Sequence, residues 1–493
     1  MQRLGFDLNK YIDLQSKNIS ERVSKFSKLY IEFGGKLFDD NHASRVLPGF
    51  APDLKIKMLL NIKEQVEMML VINANDIEKN KTRSDLGITY SQDLFRLIDA
   101  FRAAGLDIGG VVITHYTKQI EARKLRKKLE ADKIKVAYHY PIDNYPNDVD
   151  NIISDKGFGK NEYIETSKNI VVITAPGPGS GKMATCLSQM YHDNLRGIKA
   201  GYAKFETFPI WNLPLNHPVN LAYEAATADL NDVNMIDPFH LEAYKEIAIN
   251  YNRDVEVFPV LNELLIRIMG KKIYQSPTDM GVNMAGYCIC DDDACKEAAN
   301  QEIIRRYYDA LVDYRKDKIT EDIINKLELI MSKAEISKDD RKVVAVANKL
   351  AQETGEPAVA IELNDGRIVT GKTSKLMGSS SAALLNAAKE AAGMEDIKVL
   401  NSEILAPIQE LKTKHLKGNN PRIHTDETLI ALAISSESDP NAKKAIDALS
   451  KLAGCEVHSS VILSEVDCNT FKKLGMHLTQ EAIYQTKKLY HHK

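Results

Sequence analysis

The stretch Val171-Val-Ile-Thr-Ala-Pro-Gly-Pro-Gly-Ser-Gly-Lys-Met-Ala-Thr185 holds the residues of this chain best suited to chemistry. Its apolar run predicts a strand, its glycines a turn, and the residues after Gly181 a helix. Gly177, Gly179 and Gly181 let successive backbone N–H groups approach an anion, and Ser180 adds a hydroxyl. The helix start brings its positive dipole end, and Lys182 a full charge. Set against the phosphate loop G-x-x-x-x-G-K-[ST], Gly181-Lys182 match, while Pro176 replaces the first glycine and Met183 the magnesium-binding hydroxyl. Set against the dinucleotide pattern G-x-G-x-x-G, Lys182 stands where the third glycine belongs, although Glu206 would suit a ribose. Phosphate chemistry is therefore the better reading. At about 100° per residue, Met183, Leu187, Met190 and Tyr191 share the face expected on the sheet. Lys182, Thr185 and Gln189 fall on the opposite stripe, which makes Thr185 an expected neighbour of the ligand.

A second polar set, Gly34-Gly-Lys-Leu-Phe-Asp-Asp-Asn-His-Ala-Ser-Arg45, follows an earlier strand. Lys36 and Arg45 are candidate anion contacts there, and His42 or Asp40 a candidate general base. Asp229, Asp232 and Asp237 are candidate magnesium carboxylates, although helix caps and turns explain them as well. Cys288, Cys290 and Cys295 read as reduced thiols near a helix start capped by Asp293. No second ligand pair accompanies them, so no zinc is expected.

These residues need elements to position them. Short apolar runs at 29–33, 68–72, 110–114, 136–140, 169–174 and 200–205 alternate with amphipathic segments at 54–65, 91–104, 121–131 and 181–194. Such alternation predicts an α/β domain, Rossmann-like, with a mostly parallel sheet covered on both faces. It spans residues 1–286 and contains the phosphate-loop-like turn. Residues 287–354 contain neither Gly nor Pro and read as an all-α module that packs domains or protomers together, compatible with a homo-oligomer. Residues 355–493 read as a second α/β domain opened by a hairpin at Asp365-Gly366.

The 493 residues carry 65 Lys+Arg against 68 Asp+Glu, a net charge of −3, which argues against nucleic acid as a partner. No apolar run reaches the roughly 18 residues a membrane span needs. Six cysteines in this length suit a reducing compartment, and a cytoplasmic location is expected.

Three stretches resemble a bacterial family catalogued as a domain of unknown function, number 1846, also uncharacterised protein family 0371. They are Glu32-Phe-Gly-Gly-Lys-Leu-Phe-Asp-Asp-Asn-His-Ala-Ser-Arg-Val-Leu-Pro-Gly-Phe50, Ala175-Pro-Gly-Pro-Gly-Ser-Gly-Lys-Met-Ala-Thr-Cys186 and Lys204-Phe-Glu-Thr-Phe-Pro-Ile-Trp-Asn-Leu-Pro214. The resemblance covers the whole chain and implies a three-part architecture, without an activity. It also implies a final domain similar to the cytidine-deaminase-like fold. The zinc motifs of that fold are missing, and Ser381 stands where a ligand would open the helix.

The expected function is a cytoplasmic enzyme binding a nucleotide or another small phosphorylated metabolite, with Mg²⁺, for phosphoryl transfer or nucleotide-dependent ligation. Lys182 would stabilise phosphoryl charge and His42 or Asp40 would move a proton. Two other classes stay open: a phosphometabolite sensor without catalysis, and an NAD(P)-dependent oxidoreductase using Glu206.

Overall fold

In the computed structural model, residues 3–83, 86–400 and 402–485 are described. The chain divides into two compact units. The first comprises residues 4–223 and 232–296. The second takes Arg3, residues 224–231 and the described residues from 297 onward.

Six strands form the sheet of the first unit: β1 (Lys28–Phe33), β2 (Val66–Asn73), β3 (Asp107–Thr114), β4 (Val136–Tyr138), β5 (Ile170–Thr174) and β6 (Ala200–Phe205). All neighbours run parallel, in the order β4-β3-β2-β5-β1-β6. Parallel strands are buried on both faces and so read as near-continuous apolar runs, as β2 and β5 do. The residues alternate between two cores. Tyr30, Met69, Val71, Val171, Ile173 and Tyr202 meet helices Lys182–Leu195 and Asn252–Met269 on one face. Phe33 and Phe205 stack on the other, with ring centroids 4.1 Å apart.

Helix Lys182–Leu195 is fixed at its far end by a buried carboxylate. Asp193 accepts hydrogen bonds from Tyr30 (2.7 Å) and Tyr163 (2.5 Å) and lies 3.7 Å from Lys28 Nζ. A two-stranded ribbon, β7 (Asn234–Ile236) against β8 (Ile249–Tyr251), precedes helix Asn252–Met269.

The second unit carries a mixed sheet of β9 (Ala358–Glu362), β10 (Ile368–Lys372), β11 (Glu456–Ser459) and β12 (His477–Gln480), in the order β10-β9-β11-β12. The β9–β10 hairpin turns at Gly366, whose φ of 85° is a conformation that favours glycine. The last pair, β11–β12, is parallel. Helix Ser379–Ala391 follows the hairpin and buries Ser379, Ser380 and Ser381 at its start. Ser381 donates to the Ile423 carbonyl at 3.0 Å and does not cap the helix. Among the described residues, no helix is long and apolar enough to cross a membrane.

An ion network ties helices to this sheet. Arg341, 1% exposed, bonds Glu456 (2.5 Å), the carbonyls of Val457 and His477, and the Thr479 hydroxyl. Arg305 holds the other Glu456 oxygen at 2.8 Å and also pairs with Glu302. Burial works to raise the Glu456 carboxyl, but Arg305 and Arg341 outweigh it and hold the pKa down at about 2. Its stabilising effect is full above the ordinary value near 4.5 and is lost as pH falls through the range down to about 2. Removing one partner of such a network strands the other's charge, so Glu456→Gln should cost about 3–5 kcal/mol in urea unfolding at pH 7. The gap to wild type should narrow below pH 4; a variant as stable as wild type at pH 7 would refute this account.

Candidate functional site

In a parallel sheet the connections run to one face or the other, and crevices open at the strand ends where neighbouring connections diverge. Here that happens at β5. Its connection crosses β1 to reach β6, whereas β1 connects across β5 to β2, and β2 to β3 on the far side. The glycine-rich turn therefore leaves the sheet at the reversal point, flanked by the ends of β2 and β1.

Its geometry is tied down from the sheet side. Asn73, ending β2, donates to the Gly179 carbonyl at 3.4 Å, and Thr114, ending β3, donates to the Ser180 carbonyl at 2.6 Å. In a trans peptide the following N–H points the opposite way, so these bonds turn the Ser180 and Gly181 amides outward. Among the described residues, the N–H groups of Ser180, Gly181, Lys182, Met183 and Ala184 meet no acceptor. Gly181 is left-handed at φ 89° and offers no side-chain cap, leaving the helix start open. A Cβ on Gly177 would lie 2.4 Å from the Tyr90 ring, so the turn passes where only glycine fits. Lys182 makes no hydrogen bond or ion pair among the described residues, whereas Ser180 Oγ is buried without a partner. These features together form a pocket of N–H groups and one cation suited to an oxyanion.

Gln189 does not belong to it, whereas Thr185 Oγ1, like Ser180 Oγ, is buried without a hydrogen-bond partner. Thr185 and Gln189 are both fully buried, against the expected open stripe. The loop before β5 covers that side of the helix: Gln189 exchanges hydrogen bonds with both backbone groups of Ile164 at 3.2 and 2.8 Å, and Ser188 bonds Asn161. A polar stripe that satisfies a crossing backbone can be buried as readily as an apolar one.

The loop after β1 leads toward the opposite face. Asp40 caps helix Asn41–Val46 through the Ala43 N–H and pairs with Lys55 at 2.8 Å. Burial alone would raise its pKa, but the Lys55 ammonium, 2% exposed, overrides that and lowers it. Asp40 is thus a fixed anion. His42 lies edge-on to Phe208 and Tyr223, at 5.3 and 5.2 Å, with both ring nitrogens shut off from solvent. Lys36 is exposed, and Arg45 lies within helix Asn41–Val46. Asp237 is spent as a cap, accepting from the amides of Phe239, His240 and Thr278 and from the Thr278 hydroxyl. Asp232 pairs with Arg253 at 3.4 Å, and Asp229 lies in the other unit. The cap beside Cys295 is Asp291, not Asp293. No group of three His, Cys, Asp or Glu suited to a metal occurs among the described residues.

The more informative cluster lies at the end of β6. Lys204 and Glu206 continue the face of Tyr202, and the register sets Glu32 beside Lys204. Lys204 Nζ lies 2.5 Å from Asp254, on helix Asn252–Met269, and 3.1 Å from Glu206. Burial opposes the charge on Lys204, but Asp254, Glu206 and Glu32 together raise its pKa and keep it protonated. For Glu206, burial and then the charges of Asp254 and Glu32, against the pull of Lys204, push the carboxyl up to about 7. Gly34 makes room for it, since a Cβ there would lie 2.6 Å from Glu206 Cγ. Sequence reading missed Lys204, Asp254 and Lys55. A lysine inside the apolar strand Ala200–Phe205 was the signal available, because a buried ammonium demands carboxylates.

The stabilising contribution of a raised carboxyl is full below its ordinary value near 4.5 and is lost progressively as pH rises through the range up to about 7. Glu206→Gln should therefore stabilise the protein at pH 8, by on the order of 1–3 kcal/mol, and give little change at pH 4.5. Urea midpoints at the two pH values measure this; no gain at pH 8 would count against the raised carboxyl.

Two family models cover the chain: "Domain of unknown function DUF1846, N-terminal" over residues 4–335 and "Domain of unknown function DUF1846, C-terminal" over residues 339–490. A UPF0371 protein of Streptococcus pyogenes serotype M5 (strain Manfredo) is 55% identical over 492 residues, 99% of this chain and 100% of the relative. A UPF0371 protein of Streptococcus pneumoniae (strain CGSP14) is 54% identical over the same span. The chain belongs to the DUF1846, or UPF0371, family.

Proposed function

We propose that the protein binds a small phosphorylated metabolite or nucleotide, its phosphate seated on Gly177, Gly179, Ser180, Gly181 and Lys182. The observation that carries this reading is the run of outward amides from Ser180 to Ala184 beside an unpaired Lys182, at the reversal point of a parallel sheet. Bound phosphate would accept from amides that otherwise have only water, and Lys182 would supply charge to a phosphoryl group in transfer or nucleotide-dependent ligation. Asp40 and His42 serve in this reading as fixed supports of the β1 loop, because one is paired and the other enclosed. Magnesium would arrive with the phosphates, which need few protein ligands to hold it. The C-terminal sheet is read as cytidine-deaminase-like in fold without the zinc chemistry, its helix opening on Ser379–Ser381.

Thermal-shift titration with ATP, GTP, NAD(P) and sugar phosphates, with and without Mg²⁺, tests the reading. A charge-assisted contact contributes about 1.5–3 kcal/mol, so Lys182→Ala should weaken the best ligand roughly ten- to hundredfold. Equal binding of every phosphorylated probe by wild type and Lys182→Ala would overturn the site. Selective stabilisation by NAD(P) that Glu206→Ala weakens would replace it with the dinucleotide reading.

A further inference from the structure

Beyond β6, on the face of helix Asn252–Met269, a cavity of about 40 Å³ opens over Lys204, Glu206 and Asp254. That is several times the roughly 10–15 Å³ needed for one water. Phe208, Pro209, Trp211, Ile249 and Pro277 supply an apolar wall. The polar lining is short of donors. The Asn283 amide donates to the Thr207 and Pro209 carbonyls, and the Trp211 N–H donates to the Asn283 carbonyl. Lys204 spends its charge on two carboxylates. Carboxylates, by contrast, outnumber the cations: Glu206, Asp254 and the neighbouring Glu32 face the Lys204 ammonium and the Arg253 guanidinium, and Arg253 is shared with Asp232. Tyr251, outside the cavity lining and 2% exposed, has a hydroxyl without a hydrogen-bond partner. It lies close enough to Glu206 and Asp254 for both charges to hold its proton on, adding to the effect of burial.

We propose that this cavity binds the ammonium end of a small amine, with Glu206 and Asp254 as its anionic partners and the Trp211 ring as its wall. An ammonium group brings the donors and the positive charge that the lining lacks. An aromatic face beside carboxylates suits a cation better than a neutral polyol, because the ring quadrupole attracts positive charge. The inference rests on the cavity and its charges and is independent of the phosphate reading.

Trp211 is the single tryptophan of the chain and lines this cavity, so its fluorescence is a local probe of it. The probes are propylamine, ethanolamine and agmatine, set against 1-propanol and ethylene glycol, titrated into the full-length protein at pH 6 to 8.5. Amines should quench or shift the emission saturably, and the neutral probes should not. Binding displaces the proton that Glu206 holds, so the apparent affinity should be flat above pH 7.5 and fall toward tenfold per unit well below pH 7. Glu206→Gln and Asp254→Asn should each weaken the amines at least tenfold, while Lys182→Ala, which removes a positive charge some two strands away, should not weaken them. Should either carboxylate variant fail to fold, the wild-type pH series decides by itself. Equal responses to amines and neutral probes, pH-independent amine binding, or full binding by folded Glu206→Gln would each overturn the proposal. Amine binding kept in Lys182→Ala while phosphorylated probes fail everywhere would sink the phosphate reading only.

Discussion

Everything at the candidate site depends on one topological constraint. Parallel strands must be joined by right-handed crossovers, so the direction in which a chain moves across the sheet decides which face its connection covers. The order β4-β3-β2-β5-β1-β6 makes β5 step one way while its neighbours β2 and β1 step the other. The reversal places the β5 turn where the neighbouring connections diverge. Its carbonyls are held by Asn73 and Thr114, and its amides are left for something else.

The same constraint separates the two polar sets that sequence reading would join. Asp40 and Lys55 pair on the side of helix Leu54–Asn61, under Gly35, while Lys182 begins a helix on the opposite face. Residues that are close in function by chemical type need not share a face. What lies on the face of Lys182 is instead the Lys204–Glu206–Asp254 cluster, because a strand's alternate residues keep to one side and helix Asn252–Met269 packs there.

Most of the first unit was legible in the sequence. The six apolar runs coincide with the six strands within a few residues, since parallel strands buried on both faces need unbroken apolar stretches. The turn at Gly177–Gly181 was legible for the same kind of reason: a positive φ at Gly181 and the Tyr90 ring over Gly177 leave room for glycine only. Strand order was not, because insertion of β1 between β5 and β6 depends on pairings some 140 and 170 residues distant in the chain, as in Leu29 with Ile170 and Lys28 with Ala200. Partner choice was equally hidden. Helical spacing put Thr185 and Gln189 outside, and both lie inside, Gln189 because it bonds the backbone of Ile164 as that segment crosses the helix. Nothing local to Lys204 announces that Asp254 will meet it.

The two candidate lobes are electrically opposite, and that links them. The amides and Lys182 sit at the end of β5, the carboxylates at the end of β6, with β1 between them. Two strand spacings amount to about 10 Å. At that distance, with an effective dielectric near 20, unit charges interact by about 1.5 kcal/mol, roughly one pKa unit. An anion on the Ser180–Ala184 amides therefore favours a proton, or a cation, at Glu206. A cation in the cavity favours the anion in turn, because linkage is reciprocal. A ligand with a phosphate at one end and an ammonium at the other would satisfy both lobes at once. A simple inorganic anion would satisfy one lobe and raise the proton affinity of the other. In a near-neutral chain, at −3 overall, recognition of a charged ligand would have to rest on such local fields of opposite sign, and not on the net charge.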